Sequence, residues 1–409
     1  MGNPRISLAT ATSRGLVLDM IRTLGPISRV ELAERTGLTQ ATMSNVARQL
    51  LDDELVIEAG RSDSTGGKPR VLLGINPTAR FAVGVQVGAD TLTYVVANLG
   101  GAIVGRTRTG GAGEREPAAM VQAIATRIDR LLQSLGVDLH RVMGIGIVAP
   151  GPLDLENGSI LAPPTLGAWK NYPLRSKLSE LTGLPVALDN DATAAAVGEF
   201  WSGKIGTSAA HCTVYMGAGI GAGIVLGGSV YRGASSNAGE LGQMSLHART
   251  GGERRTVEEL AGPKAIVEQA RIALGLGRES SIRLSSDTNP FIAFENIATA
   301  AVRGDRLARE LLISSAEYLA DALVAMANLL DLDSIVLAGP SFSTAGTLYL
   351  RIIQRRLDEE FFARAKHSVT VQLSVQSADA AAVGAASLIL QQQLAPRQLG
   401  LPSLVGVAT

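Results

Sequence analysis

The sequence predicts a small N-terminal winged helix-turn-helix (α+β) followed by a larger two-lobed α/β body. Three observations carry this expectation. Two short amphipathic helical patterns meet at Gly37 and are followed by two strand-like runs joined by a polar loop. A phrase of strand, glycine turn and strand occupies 81–99 and returns at 213–226. Helical stretches near 117–135, 305–330 and 347–360 alternate with strands, the pattern of an α/β body. A chain of 409 residues is too long for one ordinary domain. Boundaries are expected at 1–78 for the helix-turn-helix, 79–200 for the first lobe and 201–409 for the second.

Composition narrows the classes. Lys plus Arg and Asp plus Glu both number 37, so there is no global basic field and any nucleic-acid surface must be local. Cys212 is the single cysteine, which excludes an internal disulfide and a cysteine-cluster metal site and suits a reducing compartment. The N-terminus reads without an apolar signal segment, so a cytoplasmic protein is expected. Residues 212–231 are uncharged for the length of a membrane span, but glycine at 217, 219, 221, 223, 227 and 228 suits turns between strands rather than a lipid-facing helix. No membrane partner is expected.

In chain order, residues 13–24 give a helical pattern on Leu16, Leu18, Met20, Ile21 and Leu24, broken at Gly25-Pro26. Ser28 and Glu31 form a Ser-x-x-Glu capping box opening a helix whose apolar face is Val30, Leu32 and Ala33, and Gly37 ends it. The next helix begins near Thr39. It is expected to turn Ala41, Met43, Val46, Ala47 and Leu50 inward and Thr39, Gln40, Thr42, Ser44, Asn45 and Arg48 outward. These outward side chains are small donors and acceptors of the kind that reach base edges in a major groove, and Ser28 and Arg29 join the expected DNA face. Residues 55–58 and 71–75 read as strands flanking a polar loop, a wing with Gly66-Gly67 at its tip and Lys68 and Arg70 placed to meet phosphates. The balanced charge of residues 1–80 leaves open a domain used only for protein contacts.

In the body, 144–152 ends a buried strand in a tight loop, and 188–199 opens a helix with Asn190 and Asp191 at the strand-to-helix junction. Residues 232–242 place Glu240 in a glycine-bounded turn, and 334–341 give a last strand running into a loop of small residues. Carboxylates and an amide converging on one place suit a polyhydroxylated ligand, because fixed acceptors discriminate hydroxyl configuration. Each residue also has a plainer reading. Asp191 could only cap its helix, Glu240 could only satisfy amides of its turn, and Glu258 could belong to a solvated face with Glu259. The 217–223 loop could be a hairpin relic.

The order of winged helix-turn-helix, Pro150-Gly151-Pro152 loop, Asn190-Asp191 pair, Gly217–Gly223 loop and Ala238-Gly239-Glu240-Leu241-Gly242 turn resembles the ROK family of repressors and sugar kinases over nearly the whole chain. The resemblance implies an actin-like or hexokinase-like ATPase (RNase H-like) fold, a sugar site between the lobes, and homodimers or homotetramers. It implies that Asp191 stands where kinase members keep the base for the sugar hydroxyl, that Asn190 holds the sugar, and that Glu240 and Glu258 bind it. Gly151 and Gln243 complete the expected effector set, Gln243 through an amide offering both donor and acceptor.

Two departures decide between kinase and repressor. Kinase members carry Asp-x-Gly-Gly-Thr in the first glycine turn, where this chain has Gln86-Val87-Gly88-Ala89-Asp90. Losing one such electrostatic contact costs about 3 kcal/mol of transition-state stabilisation, so phosphoryl transfer is not expected, and Asp191 is read as the relic of a base. Where family members commonly hold zinc through a histidine and three cysteines, this chain has Gln243, Arg254, Arg255 and Thr256, so neither metal nor another cofactor is expected. His247 nearby reads as a solvated or hydrogen-bonding side chain. The expected protein is therefore a repressor of carbohydrate genes that binds operator DNA and is released by a sugar or sugar-phosphate effector. The alternative is an ATP-dependent sugar kinase with a DNA-binding extension.

Overall fold

A computed structural model describes residues 8–62, 69–113, 115–161, 165–201, 205, 208–285 and 289–394. Two compact units divide the chain: Met1–Asp189 with Trp201–Gly203 and Ala385–Thr409, and Asn190–Phe200 with Lys204–Gly384.

The first unit begins with α1 (Leu8–Leu24), β1 (Ile27–Ser28), α2 (Arg29–Thr36), α3 (Gln40–Asp52), β2 (Val56–Arg61) and β3 (Val71–Ile75), the strands pairing antiparallel in the order β1-β3-β2. The capping box forms as expected: Ser28 Oγ accepts from the Glu31 amide, and Glu31 accepts from the Ser28 amide. Gly37 then adopts φ 69°, where a side chain is disfavoured, and its N–H donates to Ala33 O. The core is Val17, Leu18, Ile21, Leu32, Met43, Val46, Ala47, Leu50 and Leu73.

Two helical faces differ from the expected pattern, and one strand is additional to it. Leu18 and Ile21 are buried and Met20 packs against them as expected, but Leu16 and Leu24 are exposed and Val17 takes the place of Leu16 in the inward stripe of α1. Ala41 faces outward on the first turn of α3. The strand β1, only two residues long, carries no periodicity of its own and exists through its pairing with β3.

The rest of the first unit contains β4 (Phe81–Val87), β5 (Thr91–Asn98), β6 (Ile103–Gly110), α4 (Pro117–Ser134), β7 (Val142–Ala149), β8 (Leu153–Asp154), β9 (Ser159–Ile160), α5 (Leu174–Thr182) and β10 (Val186–Asn190). The main sheet runs β10-β7-β4-β5-β6, with β4 antiparallel to β5 and parallel to β7. Arg22 of α1 pairs with Asp19 at 2.7 Å, lies 4.1 Å over the Trp201 ring and donates to the Trp201 carbonyl. Ala79 and Leu99 join the same core as α1 to α3, so the small domain is packed on the unit rather than tethered to it.

The second unit opens with α6 (Asp191–Trp201), whose last residue belongs to the first unit. It continues with β11 (Ala210–Met216), β12 (Ile220–Leu226), β13 (Ser229–Val230), β14 (Ser245–His247), β15 (Arg254–Thr256), α7 (Val257–Ala261), α8 (Pro263–Gly275), α9 (Pro290–Val302), α10 (Arg306–Leu330), β16 (Ser334–Ala338), α11 (Phe342–Glu360), β17 (Thr370–Leu373) and α12 (Ala380–Leu394), which passes into the first unit at Ala385. Its sheet runs β13-β12-β11-β16-β17, again an antiparallel hairpin beside parallel strands. The repeated strand-turn-strand phrase thus heads two sheets of matching topology. No described helix is long and apolar enough to cross a membrane.

Candidate functional site

The strand β10 ends at Asn190 and α6 starts at Asp191, so both side chains stand at the N-terminus of a helix. Asn190 Oδ1 accepts from the amides of Ala192 at 2.9 Å and Thr193 at 3.2 Å, which makes Asn190 the cap. Asp191 Oδ1 shares the Ala192 amide at 2.9 Å. Burial lifts the Asp191 carboxyl to about 7; the Ala192 amide opposes the rise, and the charge of Glu240 adds to it.

Glycine lets α6 sit this close to the sheet. A Cβ on Gly223 would meet Ala192 O at 2.4 Å and Ala196 Cβ at 2.6 Å, and one on Gly221 would meet Ala192 Cβ at 3.0 Å. On α12, a Cβ on Gly384 would meet Ala194 O at 1.8 Å. The glycines expected as a loop at 217–223 therefore divide in function. Gly217 to Gly219 make the turn, whereas Gly221 and Gly223 lie within β12 and seat α6.

Glu240 follows Gly239, whose φ of 93° and close approach to Ala222 O exclude a side chain. The Ala222 amide donates to Gly239 O at 2.7 Å, tying this turn to the middle of β12. Glu240 is exposed, yet desolvation of its carboxyl, with the nearby Glu258 charge, raises its pKa. Glu258 is half-buried in the first turn of α7, and its Oε2 accepts from the Ile220 amide at 3.0 Å. A Cβ on Gly219 would strike that oxygen at 2.4 Å, so the carboxylate rests on the β11–β12 turn.

Within the second unit Asn190, Asp191, Glu240 and Glu258 thus form one group of acceptors around β12, in which the Glu240 charge raises Asp191 and the Glu258 charge raises Glu240. Gln243 is exposed one turn after Glu240, its backbone N–H donating to Glu240 O at 3.0 Å. Gly151 belongs to the first unit, in the loop after β7. His247 makes a hydrogen bond with Gly252 O at 3.2 Å, and the described residues contain no His, Cys, Asp and Glu group able to hold a metal ion.

The first glycine turn is closed on itself. The Gly88 amide donates to Thr91 O at 3.2 Å, and Gly88 O and Asp90 O accept from Ala112 and Gly111 at 2.9 Å each. Gln86 lies in β4 between Thr93 and Val148.

On the small domain, Thr39 caps α3 by accepting from the Thr42 amide at 3.2 Å, while Met43, Val46, Ala47 and Leu50 are buried. Thr39, Gln40, Thr42, Ser44, Asn45 and Arg48 form an exposed polar face, and Arg70 is exposed at the base of the wing. Arg29 is half-buried, 3.9 Å from Glu58. Ser28 corrects the expected DNA face: it is buried and its hydroxyl is spent in the capping box. Lys68 and the wing tip lie outside the described residues.

Residues 82–392 match the ROK family, and residues 12–58 match the MarR family. The chain belongs to the ROK family. It is 29% identical over 400 residues to a putative xylose repressor from Caldicellulosiruptor sp. (strain Rt8B.4), covering 97% of this chain and 99% of that protein. It is 26% identical over 341 residues to the DNA-binding transcriptional dual regulator NagC of Escherichia coli (strain K12), covering 82% of each. A glucokinase from Halalkalibacterium halodurans is 29% identical over 319 residues, 77% of this chain and 96% of that enzyme. Among solved structures, a ROK family transcriptional regulator homologous to E. coli Mlc superposes with a TM-score of 0.75 at 24% identity, covering 95% of this chain and 98% of its own. This ROK chain therefore carries the actin-like sugar-kinase fold behind a MarR-like winged helix-turn-helix.

Proposed function

We propose that this ROK protein is a sugar-responsive transcriptional repressor, acting in the cytoplasm as a homodimer or homotetramer. The reading rests above all on one observation: the desolvated Asp191 carboxyl beside Glu240, which in turn neighbours Glu258, shares a chain with a winged helix whose polar face is exposed. Such an acceptor group suits hydroxyl donors, and a neutral sugar that donates to it relieves the mutual repulsion of its carboxylates. The same reading is supported by the name of the putative xylose repressor aligned over 97% of this chain, and its regulatory half by that of the transcriptional dual regulator aligned over 82%. Xylose is the first effector to test, since one of those relatives is named for it.

A dimer would set two α3 helices in successive major grooves, about 10 bp or a multiple apart. A sugar preferring the non-binding arrangement about 100-fold would shift the balance by roughly 2.7 kcal/mol, and operator and sugar would weaken each other reciprocally. Gly151 and Gln243 extend the proposed effector set, and Thr39, Gln40, Thr42, Ser44, Asn45, Arg48, Arg29 and Arg70 the DNA face. Phosphoryl transfer is disfavoured by Gln86 and Asp90 and by the internal bonding of the Gly88 turn.

The test is a gel shift on operator DNA with D-xylose, D-glucose and N-acetylglucosamine, alongside a coupled ATPase assay. Release by a sugar without turnover is expected, and sugar-dependent ATP turnover would overturn the reading in favour of the kinase. Arg48→Ala should weaken operator binding and lower the salt slope by about 1; an unchanged operator affinity would remove α3 from the proposed DNA face.

A further inference from the structure

We propose that Arg249 is a positioning residue for the effector group, clamping to α10 the hairpin that joins Glu240 and Glu258. This rests on the effector reading above and concerns only the second unit.

The connection is short. From Glu240 the chain passes through one 3-10 turn into β14, and from β15 it enters α7, where Glu258 is the second residue. The strands β14 and β15 hold three pairs, Ser245 with Thr256, Leu246 with Arg255 and His247 with Arg254. A two-stranded ribbon this short is marginal in water, and most of its residues are exposed. Its place is set from outside, by Met244, Leu246 and Ala248 packed against the core of the unit and by Arg249 at its far end.

Arg249, at the turn of the hairpin, meets α10 in four ways. Its backbone N–H donates to Tyr318 Oη at 2.7 Å. Its guanidinium donates to Glu317 and to Asp321 at 2.8 Å each and lies 4.6 Å over the Tyr318 ring. The other Asp321 oxygen accepts from Arg356 of α11 at 2.7 Å, and Arg356 also grips Glu360. Glu317, Arg249, Asp321, Arg356 and Glu360 form one alternating chain of charge across two helices. An isolated surface pair contributes little, but a planar fork engaged on two carboxylates and a ring fixes direction as well as distance. The bond from the Val257 amide to Met244 O at 2.8 Å holds the near end of the hairpin, and the clamp fixes its far end on α10, so that Glu240 and Glu258 are carried on a supported ribbon; a loosened supporting shell weakens a preformed site.

The test is calorimetric titration of the full-length protein with D-xylose, D-glucose and N-acetylglucosamine, with operator affinity measured in parallel. Arg249→Ala should weaken sugar binding about 10-fold and leave operator affinity unchanged; Arg249→Lys, which keeps the charge but not the fork, should fall between. Sugar binding by the wild type should weaken between about 0.05 and 0.5 M salt, and that of Arg249→Ala should not. Sugar binding equal to wild type in both variants would overturn the clamp while leaving the effector reading intact. A parallel loss of sugar and operator binding in Arg249→Lys would assign Arg249 to general stability and overturn the clamp as well. If the wild type binds none of the sugars, the effector reading fails and takes the clamp with it.

Discussion

The hairpins β4–β5 and β11–β12 hold equivalent places in two sheets of matching topology, and they do different work. The first closes its glycine turn with backbone alone, through Gly88 to Thr91 within the hairpin and through Gly111 and Ala112 of the segment after β6. The second gives its turn amide at Ile220 to Glu258, anchors the Gly239 turn at Ala222, and opens at Gly221 and Gly223 to admit α6. A repeated phrase of strand and glycine therefore does not repeat a function. In one copy the backbone satisfies itself; in the other it positions three carboxylates.

This contrast can be broken most forcefully at Gly223. A side chain there meets backbone at Ala192, so Gly223→Val should displace the start of α6, abolish the sugar response and destabilise by about 1–3 kcal/mol or more, read by denaturant melts and gel shift. Full sugar response in that variant would separate α6 placement from effector binding.

Asp191→Asn comes next. A carboxyl raised from 3.8 to about 7 binds a proton in the folded state that the unfolded chain has already lost. Wild-type stability therefore falls as pH rises from about 4 to 7, and the asparagine variant escapes that loss. It should melt higher than wild type at pH 8, with the gap closing towards pH 4, while losing sugar-induced release. A pH-independent gap would place Asp191 in a different environment.

Glu258→Gln should be milder. The amide can still accept from Ile220, but the charge that raises Glu240 disappears, so the Glu240 pKa should fall when followed by carbon-detected NMR, with sugar affinity lowered a few-fold. The smallest effect belongs to the first hairpin. Gln86→Asp with Ala89→Gly and Asp90→Thr restores the kinase pattern, and the sugar response should stay as in wild type.

The elements were legible wherever local pattern determines them. Capping at Ser28, the stop at Gly37 and the strand phrases read directly, because each follows from a side chain's own bonding or from a glycine's φ. The candidate group was legible through the order of its motifs, but not the reason it holds together. Gly221 and Gly223 read as loop, since a sequence does not reveal that a helix lies against a strand. Asp191 reads in sequence as a possible cap, but Asn190 takes that role and Asp191 shares the Ala192 amide with it. Arg249 drew no notice because Glu317, Tyr318 and Asp321 lie about seventy residues further along, where only the fold brings them near. Ser28 was placed on the DNA face by its position, and burial removed it.

The account turns on whether a sugar bound through Asp191 governs DNA binding. The direct measurement is operator release by D-xylose, D-glucose and N-acetylglucosamine, followed by gel shift for wild type and Asp191→Asn at pH 7.5. One of these sugars should release wild type, Asp191→Asn should bind the operator equally well, and the same sugar should leave the variant bound. Release of both proteins at the same sugar concentration would contradict it.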